Sequence, residues 1–352
     1  MTRSFAVMTQ QLDLKLELLI IGAGPAGLSA ADAAAREGLR YLVIEKGVIA
    51  NTIHGYPIGR VVFSTPNELE IEPGTLKPIR EKPTREELLS YYIHFALDHD
   101  LRINDGEEVV SVKRAQDDGF VIRTRKWNTN AQELRSAYQA ARILFAIGAM
   151  DHPRRLNVPG EDLPKVHHRF VEPYPYVRKE AMVIGGGNSA AEAALFLSQE
   201  GARTTLCIWR SDWENRDPKA GAMKHWVRTP LEREVNEGRL RVVLFDHVEA
   251  ITESDVSVVT EDGEKLKLPN DVVFALIGSD ADLSLLRQLG VKTEQGKVAE
   301  VPVYDPETCE TNVPGIYVAG HFTNERHIRK AIEIPRRIVP LIAKSLRAGV
   351  GS

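Results

Sequence analysis

The stretch LLIIGAGPAGLSAAD, from Leu18 to Asp32, constrains the fold of this chain more than any other. Four apolar residues, Leu18 to Ile21, predict a buried parallel strand. Gly22, Gly24 and Gly27 follow at the spacing G-x-G-x-x-G and open an alanine-rich segment that predicts a helix. Each glycine has its own steric role. Gly22 makes the tight turn, Gly24 lets a pyrophosphate approach the backbone, and Gly27 lets helix and strand pack closely. The free N–H groups at the helix start, with Pro25 and Ala26 in its first turn, suit that anion. Leu39 to Ile44 predicts the next strand. Glu45 ends it 23 residues after Gly22, where a carboxylate accepts hydrogen bonds from the ribose of an adenine dinucleotide.

The same order of elements occurs twice. In the first half, Val109 to Val112 and Phe120 to Thr124 predict a hairpin around Asp117-Asp118-Gly119, and Ala141 to Ile147 closes the unit at Gly148. In the second, Ala181 to Ile184 predicts a strand, Gly185-Gly186-Gly187-Asn188-Ser189-Ala190 a second phosphate turn, and Ala191 to Gln199 its helix. Thr204 to Ile208 is the next strand. Val242–Phe245, Val256–Val259 and Lys265–Leu268 form a second meander, and Val272 to Ile277 closes at Gly278. The repeat predicts an α/β chain with two Rossmann-like dinucleotide-binding domains, each a three-layer ββα-type sandwich with a β-meander. Between the halves' motifs, Thr84 and Glu87 form a capping box that starts a helix, and Thr65-Pro66-Asn67 reads as a turn.

The two turns differ where the ribose would lie. Counting from Gly185 as from Gly22 lands on Ile208, followed by Trp209 and Arg210, with no acid at that point. An arginine there suits a 2′-phosphate, because its planar fork donates two hydrogen bonds to one anion. Arg216, Lys219 and Lys224 keep the following loop basic. The first site is therefore expected to take FAD and the second NADPH.

A length of 352 residues suits two domains, and the net charge of −4 suggests neither nucleic acid nor an anionic membrane as partner. No apolar run approaches the roughly 18 residues of a membrane span. Residues 1–15 read as a flexible tail. The two cysteines, Cys207 and Cys309, form no C-x-x-C and no metal-ligand spacing, so no metal is expected, and the count fits a reducing cytoplasm. Cys207 falls in a strand that reads as buried.

Beyond the two turns, the chain carries Ile44-Glu45-Lys46-Gly47, Tyr56-Pro57 followed by Phe63-Ser64, Pro159-Gly160-Glu161-Asp162-Leu163-Pro164, and Thr311-Asn312-Val313-Pro314-Gly315-Ile316-Tyr317-Val318-Ala319-Gly320. With these it resembles the thioredoxin-reductase-like flavoproteins, most closely the bacillithiol disulfide reductases. The resemblance implies a discontinuous FAD domain of residues 16–157 and 279–352, with an NADPH domain of residues 158–278 inserted. For FAD it implies contacts from Gly22, Gly24, Pro25, Ala26, Gly27, Glu45, Lys46, Tyr56 and Ser64. Val110, Ala146, Gly148, Gly320, His321 and Ala331 extend that set. For NADPH it implies Gly185, Gly187, Asn188, Ser189 and Ala190, with Trp209, Arg210, Ile277 and Gly278.

Three departures from the resemblance bear on activity. There is no C-x-x-C to relay electrons, and Ala26 stands where relatives often carry cysteine within the first motif. His321 follows Ala319-Gly320 where many relatives have aspartate. His54, Tyr56 and His321 are the candidates for residues beside the flavin. The expected activity is hydride transfer from NADPH to FAD, then electron transfer to a low-molecular-weight disulfide such as bacillithiol disulfide. Ferredoxin, flavodoxin or free flavin are alternative acceptors, and flavin monooxygenase-like or redox-sensing roles remain open. A homodimer or homotetramer is the expected assembly.

Overall fold

The computed structural model describes residues 15–116, 119–127, 134–217 and 221–348, and the side chains of all these but 134 and 135. The expected tail, apart from Lys15, lies outside the described residues, as do Asp117, Asp118 and Lys219. The chain divides into two compact units, Met1–Asp151 with Ala281–Ser352, and His152–Asp280.

In the first unit β1 (Lys15–Ile21), α1 (Pro25–Arg36) and β2 (Tyr41–Ile44) form a parallel crossover, with Leu18 opposite Tyr41 and Ile21 opposite Ile44. Three helices then follow, α2 (Asn51–His54), α3 (Pro66–Leu69) and α4 (Arg85–Asp98), before the short strand β3 (Ile103–Asn104). The segment read as a turn at Thr65-Pro66-Asn67 winds into α3, because Glu68 accepts a 3.0 Å hydrogen bond from the Thr65 N–H and starts a helix. Thr84 and Glu87 close their box at the start of α4 with bonds of 2.8 and 3.2 Å. β4 (Glu107–Arg114), β5 (Phe120–Lys126) and β6 (Leu134–Phe145) make the antiparallel meander. The end of β6 also runs parallel beside β1, pairing Ile143 with Leu19 and Phe145 with Ile21.

The second unit opens with β7 (His152–Pro153), β8 (Val166–His167) and β9 (Glu180–Ile184), followed by α5 (Asn188–Gln199) and β10 (Arg203–Ile208). Next come α6 (Arg210–Glu214) and α7 (His225–Asn236). Pro230, inside α7, masks that helix in the sequence because it removes one backbone donor. β11 (Leu240–Ile251), β12 (Asp255–Thr260), β13 (Lys265–Pro269), β14 (Val272–Ala275) and β15 (Ser279–Asp280) complete the unit. The sheet order is β13-β12-β11-β10-β9-β14-β8. β7 pairs with β15 in an antiparallel ribbon, which carries the unit's limits slightly outside the expected 158–278.

The chain then returns to the first unit through α8 (Ser284–Gln288), the hairpin β16 (Thr293–Gln295) and β17 (Glu300–Pro302), β18 (Ile316–Val318) and α9 (Ile328–Ala348). β18 adds to the sheet in parallel beside β6. Alternation along β1 divides the first unit's core. Leu18 and Ile20 face α1, α4 and α9, while Leu19 and Ile21 face the meander and α8. The sheet is thus the middle layer of three. Among the described residues no helix is long and apolar enough to cross a membrane.

Candidate functional site

The first glycine turn is fixed by contacts that leave no room for side chains. Gly22 has φ +107°, and a Cβ there would stand 2.5 Å from the Ala146 carbonyl oxygen. A Cβ on Gly27 would stand 1.8 Å from the Gly22 carbonyl oxygen, so helix and turn touch backbone to backbone. Gly24 differs from both. It N-caps α1 with no side-chain cap and no acid in the first turn, and a Cβ there would meet nothing within 4 Å. That open space beside uncapped amides is a cradle of the kind that suits a phosphate.

Glu45 closes the turn on its far side. It is 7% exposed and accepts hydrogen bonds from the N–H groups of Ala23 (2.8 Å) and Gly47 (2.7 Å). Burial raises its pKa, and the two backbone donors and Lys46 work against that rise. Each carboxylate oxygen has further acceptor capacity for a ribose hydroxyl.

A cavity opens from this turn. Gly22, Gly24, Pro25 and Ala26 line it, with Glu45, Lys46 and Tyr56. Ala146 and Gly148 from the end of β6, and Gly320, His321 and Ala331 from the return of the chain, complete what the sequence placed there. Gly27 stands behind the turn as a packing residue. Ser64 and Val110 do not line the cavity. Side chains alternate along β4, and Val109 is the valine that lines it. His54 is not a lining residue either. It is exposed at the end of α2, with its carbonyl accepting a 2.6 Å bond from Arg85.

Asn51 and Thr52 of α2, Asp282 and Leu285, and His327 and Ile328 also line the cavity. No local pattern announced them, because they reach the site through the return of the chain and a short helix. Lys46 pairs with Asp151 at 2.7 Å, and the Arg60 guanidinium lies 4.8 Å over the Tyr56 ring. His321 opens to solvent inside the concavity while protein surrounds most of it. Burial first, then its neighbours Arg326 and His327, push its pKa below the ordinary histidine value. The imidazole is therefore neutral at neutral pH. The thiols lie elsewhere. Cys207 is fully buried in β10, where burial pushes its pKa up to about 12. Cys309 is also buried, its pKa raised chiefly by burial, with Arg337 3.9 Å from Sγ.

The second turn repeats the first at Gly185 and Gly187, with Ala190 in the place of Gly27. Gly185 has φ +148°, and its Cβ would stand 2.3 Å from the Leu276 carbonyl oxygen. The Gly185 N–H donates to Cys207 as the Gly22 N–H donates to Ile44. Gly187 N-caps α5 without a side-chain cap, again with open space at Cβ. Asn188, Ser189 and Ala190 begin α5, and Asn188 Oδ1 accepts from the Lys224 N–H at 2.9 Å. Ile277 and Gly278 follow β14, with a Cβ on Gly278 3.6 Å from the Arg154 side chain. Trp209 packs on Phe245 and donates from Nε1 to the Asp246 carbonyl at 3.0 Å. Arg210, expected to face a phosphate, is instead paired with two carboxylates. Its Nε donates to Glu261 at 2.7 Å and Nη1 to Glu214 at 3.4 Å. The described residues thus hold two glycine turns that share an uncapped, open helix start.

The family model for pyridine nucleotide-disulphide oxidoreductases matches residues 19–320. This chain belongs to that family. It is 37% identical over 302 residues to the bacilliredoxin reductase Bdr of Bacillus subtilis, covering 86% of this chain and 88% of that one. A ferredoxin–NADP reductase of Ignicoccus hospitalis is 28% identical over 345 residues, 95% of each chain. Among solved structures, the bacillithiol disulfide reductase Bdr of Staphylococcus aureus superposes with a TM-score of 0.85 at 32% identity, covering 94% of this chain and 99% of that one. The protein is an FAD-dependent NAD(P)H oxidoreductase. The residues fit these groups: the uncapped cradle at Gly24 with the acid Glu45 suits FAD, and the open cap at Gly187 suits the second dinucleotide.

Proposed function

We propose that this protein reduces a low-molecular-weight disulfide, of the bacillithiol disulfide class, with electrons from NAD(P)H and without a protein dithiol relay. The observation that carries the reading is the make-up of the cavity at the first turn: its described lining contains no thiol, and both cysteines are buried outside it. The identity to relatives named for bacillithiol disulfide and bacilliredoxin supports the acceptor class.

FAD, when bound, supplies a two-electron store between nicotinamide and disulfide. The chain's own residues bind and orient. The N–H groups of Gly24, Ala26 and Gly27 would receive the pyrophosphate, Glu45 would accept from the ribose, and Gly320 and Ala331 line the same cavity. Neutral His321 and Tyr56 offer hydrogen-bonding groups at the cavity wall. The net reaction consumes NAD(P)H, one proton and one disulfide. The S–S bond breaks, and one sulfur takes the proton that travels with the hydride electrons while the other takes one from solvent.

Anaerobic titration of the FAD-loaded protein tests the relay-free reading. Full reduction should take two electrons, with no long-wavelength thiolate–flavin band, and the double variant Cys207→Ser, Cys309→Ser should keep most acceptor turnover. Uptake of four electrons would sink it. A second reading rests on the same thiol-free cavity: a one-electron carrier such as ferredoxin needs no cysteine, and the 28% identical relative carries that name. Steady-state NADPH oxidation with bacillithiol disulfide, ferredoxin, flavodoxin and free flavin as acceptors separates the two. A homodimer or homotetramer in the cytoplasm completes the proposal, and light scattering of the loaded protein tests the assembly.

A further inference from the structure

We propose that the second dinucleotide site accepts NADH as well as NADPH, with Asp212 binding the unphosphorylated ribose and the Glu261–Arg210 pair opening to admit a 2′-phosphate. The proposal rests on the assignment of that unit to NAD(P)H, and it begins from the internal repeat. In the first turn the ribose acid, Glu45, lies against Ala23, the residue between the first two glycines of the motif. In the second turn Gly186 holds the same place in the motif, and Asp212 lies against it on the side where a Cβ would stand rather than at its N–H. A Cβ on Gly186 would stand 1.7 Å from Asp212 Oδ2 and 2.4 Å from its Cγ. The acid therefore lies directly on the turn, a contact that only glycine permits.

Counting residues misses this acid because it does not end the strand. It comes from the first turn of α6, four residues beyond Ile208, and folding brings it back over Gly186. Among the described residues its carboxylate oxygens accept no hydrogen bond, while its main chain is held by Trp209 and Arg228. Burial, with no donor to offset it, raises its pKa. A carboxylate so placed gains from the two hydroxyl donors of an adenosine ribose and is repelled by a 2′-phosphate.

Arg210 reads the other way. Its Nε and its backbone N–H both donate to Glu261, at 2.7 and 3.0 Å, and Nη1 donates to Glu214. Two carboxylates thus already occupy the partner expected for a phosphate dianion. The pair is exposed, screened by water and salt, and opens at little cost, so NADPH is admitted rather than excluded. Arg216 does not replace it, being engaged by Glu232 and the Trp213 carbonyl. The balance of these groups gives a site with an acceptor ready for NADH and a cation that NADPH must first release.

Calorimetric titration of the FAD-loaded protein with ADP-ribose and with 2′-phospho-ADP-ribose reads the ribose contact without any redox step. Wild type should bind both. Asp212→Asn should shift the affinity ratio by ten-fold or more toward the phosphorylated fragment, and Glu261→Gln should tighten that fragment several-fold. NADH-driven flavin reduction should fall with Asp212→Asn relative to NADPH-driven reduction. Binding of the phosphorylated fragment alone, or equal loss of both fragments in Asp212→Asn, would overturn the role of Asp212. Failure of both fragments to bind wild type would overturn the NAD(P)H assignment of the unit as well.

Discussion

At the first glycine turn the acid is locked in: Glu45 is buried, and its two oxygens already hold the N–H groups of Ala23 and Gly47. At the second, Asp212 rests on Gly186 with its carboxylate unbonded among the described residues, and Arg210 is paired with Glu261 and Glu214. The backbone plan is otherwise shared, down to a first glycine pressed on the carbonyl of the closing strand and an open cap two residues later. The comparison separates what a turn needs to exist from what it needs to choose a ligand. Close backbone approach builds the turn. The acid's degree of constraint decides whether the site is preorganised for one tightly held cofactor or left adjustable for a nucleotide that comes and goes.

Breaking the shared part should have the largest effect. Gly27→Val places a side chain inside the Gly22 carbonyl, so the first unit should lose more than about 4 kcal/mol and its FAD, as read by urea unfolding and flavin content. Gly185→Ala should act on the second unit for the same reason, with a smaller group to accommodate.

Breaking the locked acid comes next. Glu45→Gln keeps the size but turns an acceptor into an N–H₂ facing a backbone donor, an expected loss of about 1–3 kcal/mol. The flavin dissociation constant should rise with it. The same exchange at the second turn, Asp212→Asn, removes an unbonded carboxylate whose burial is unfavourable to its charge. The unfolding midpoint should stay within about 0.5 kcal/mol of wild type or rise, and a loss as large as that of Glu45→Gln would erase the contrast.

The caps sharpen it further. Gly24→Ala and Gly187→Ala meet no protein atom and have ordinary φ, so stability should change by less than about 1 kcal/mol. Flavin affinity in the first and ADP-ribose affinity in the second should each fall by about ten-fold, because the new methyl occupies phosphate space. Unchanged affinities would mean that the cradles are not used.

The smallest effect is on pH. His321 has a folded pKa below its unfolded value of about 6.5, so the unfolded chain binds more protons just below that pH. Stability should be fully present above about 6.5 and decline as pH falls through the window toward the folded value. Thermal unfolding between neutral and mildly acidic pH should show a slope that His321→Asn reduces.

Much of this is legible in the chain because it is written locally. G-x-G-x-x-G between an apolar run and an alanine-rich run admits few readings, and the second copy, Gly185 to Ala190, makes the duplication plain. The capping box at Thr84 and the buried strand around Cys207 depend on neighbours in sequence, so both are readable. α7 is not, since Pro230 interrupts its pattern. The residue of β4 that meets the cavity differs by one from the expected one, Val109 in place of Val110, because neighbouring side chains on a strand face opposite sides.

The sequence alone determined the two glycine turns, their order, and the steric need for Gly27, because each follows from contacts within a strand–turn–helix unit. Tertiary structure decided which charges meet. Glu261 reaches Arg210 from a hairpin 51 residues away, and His327 and Leu285 enter the first cavity only when the chain returns to the first unit. Backbone sterics are short-ranged and can be read in order along the chain. Electrostatic partnership depends on distance in space, and only the folded chain fixes that distance.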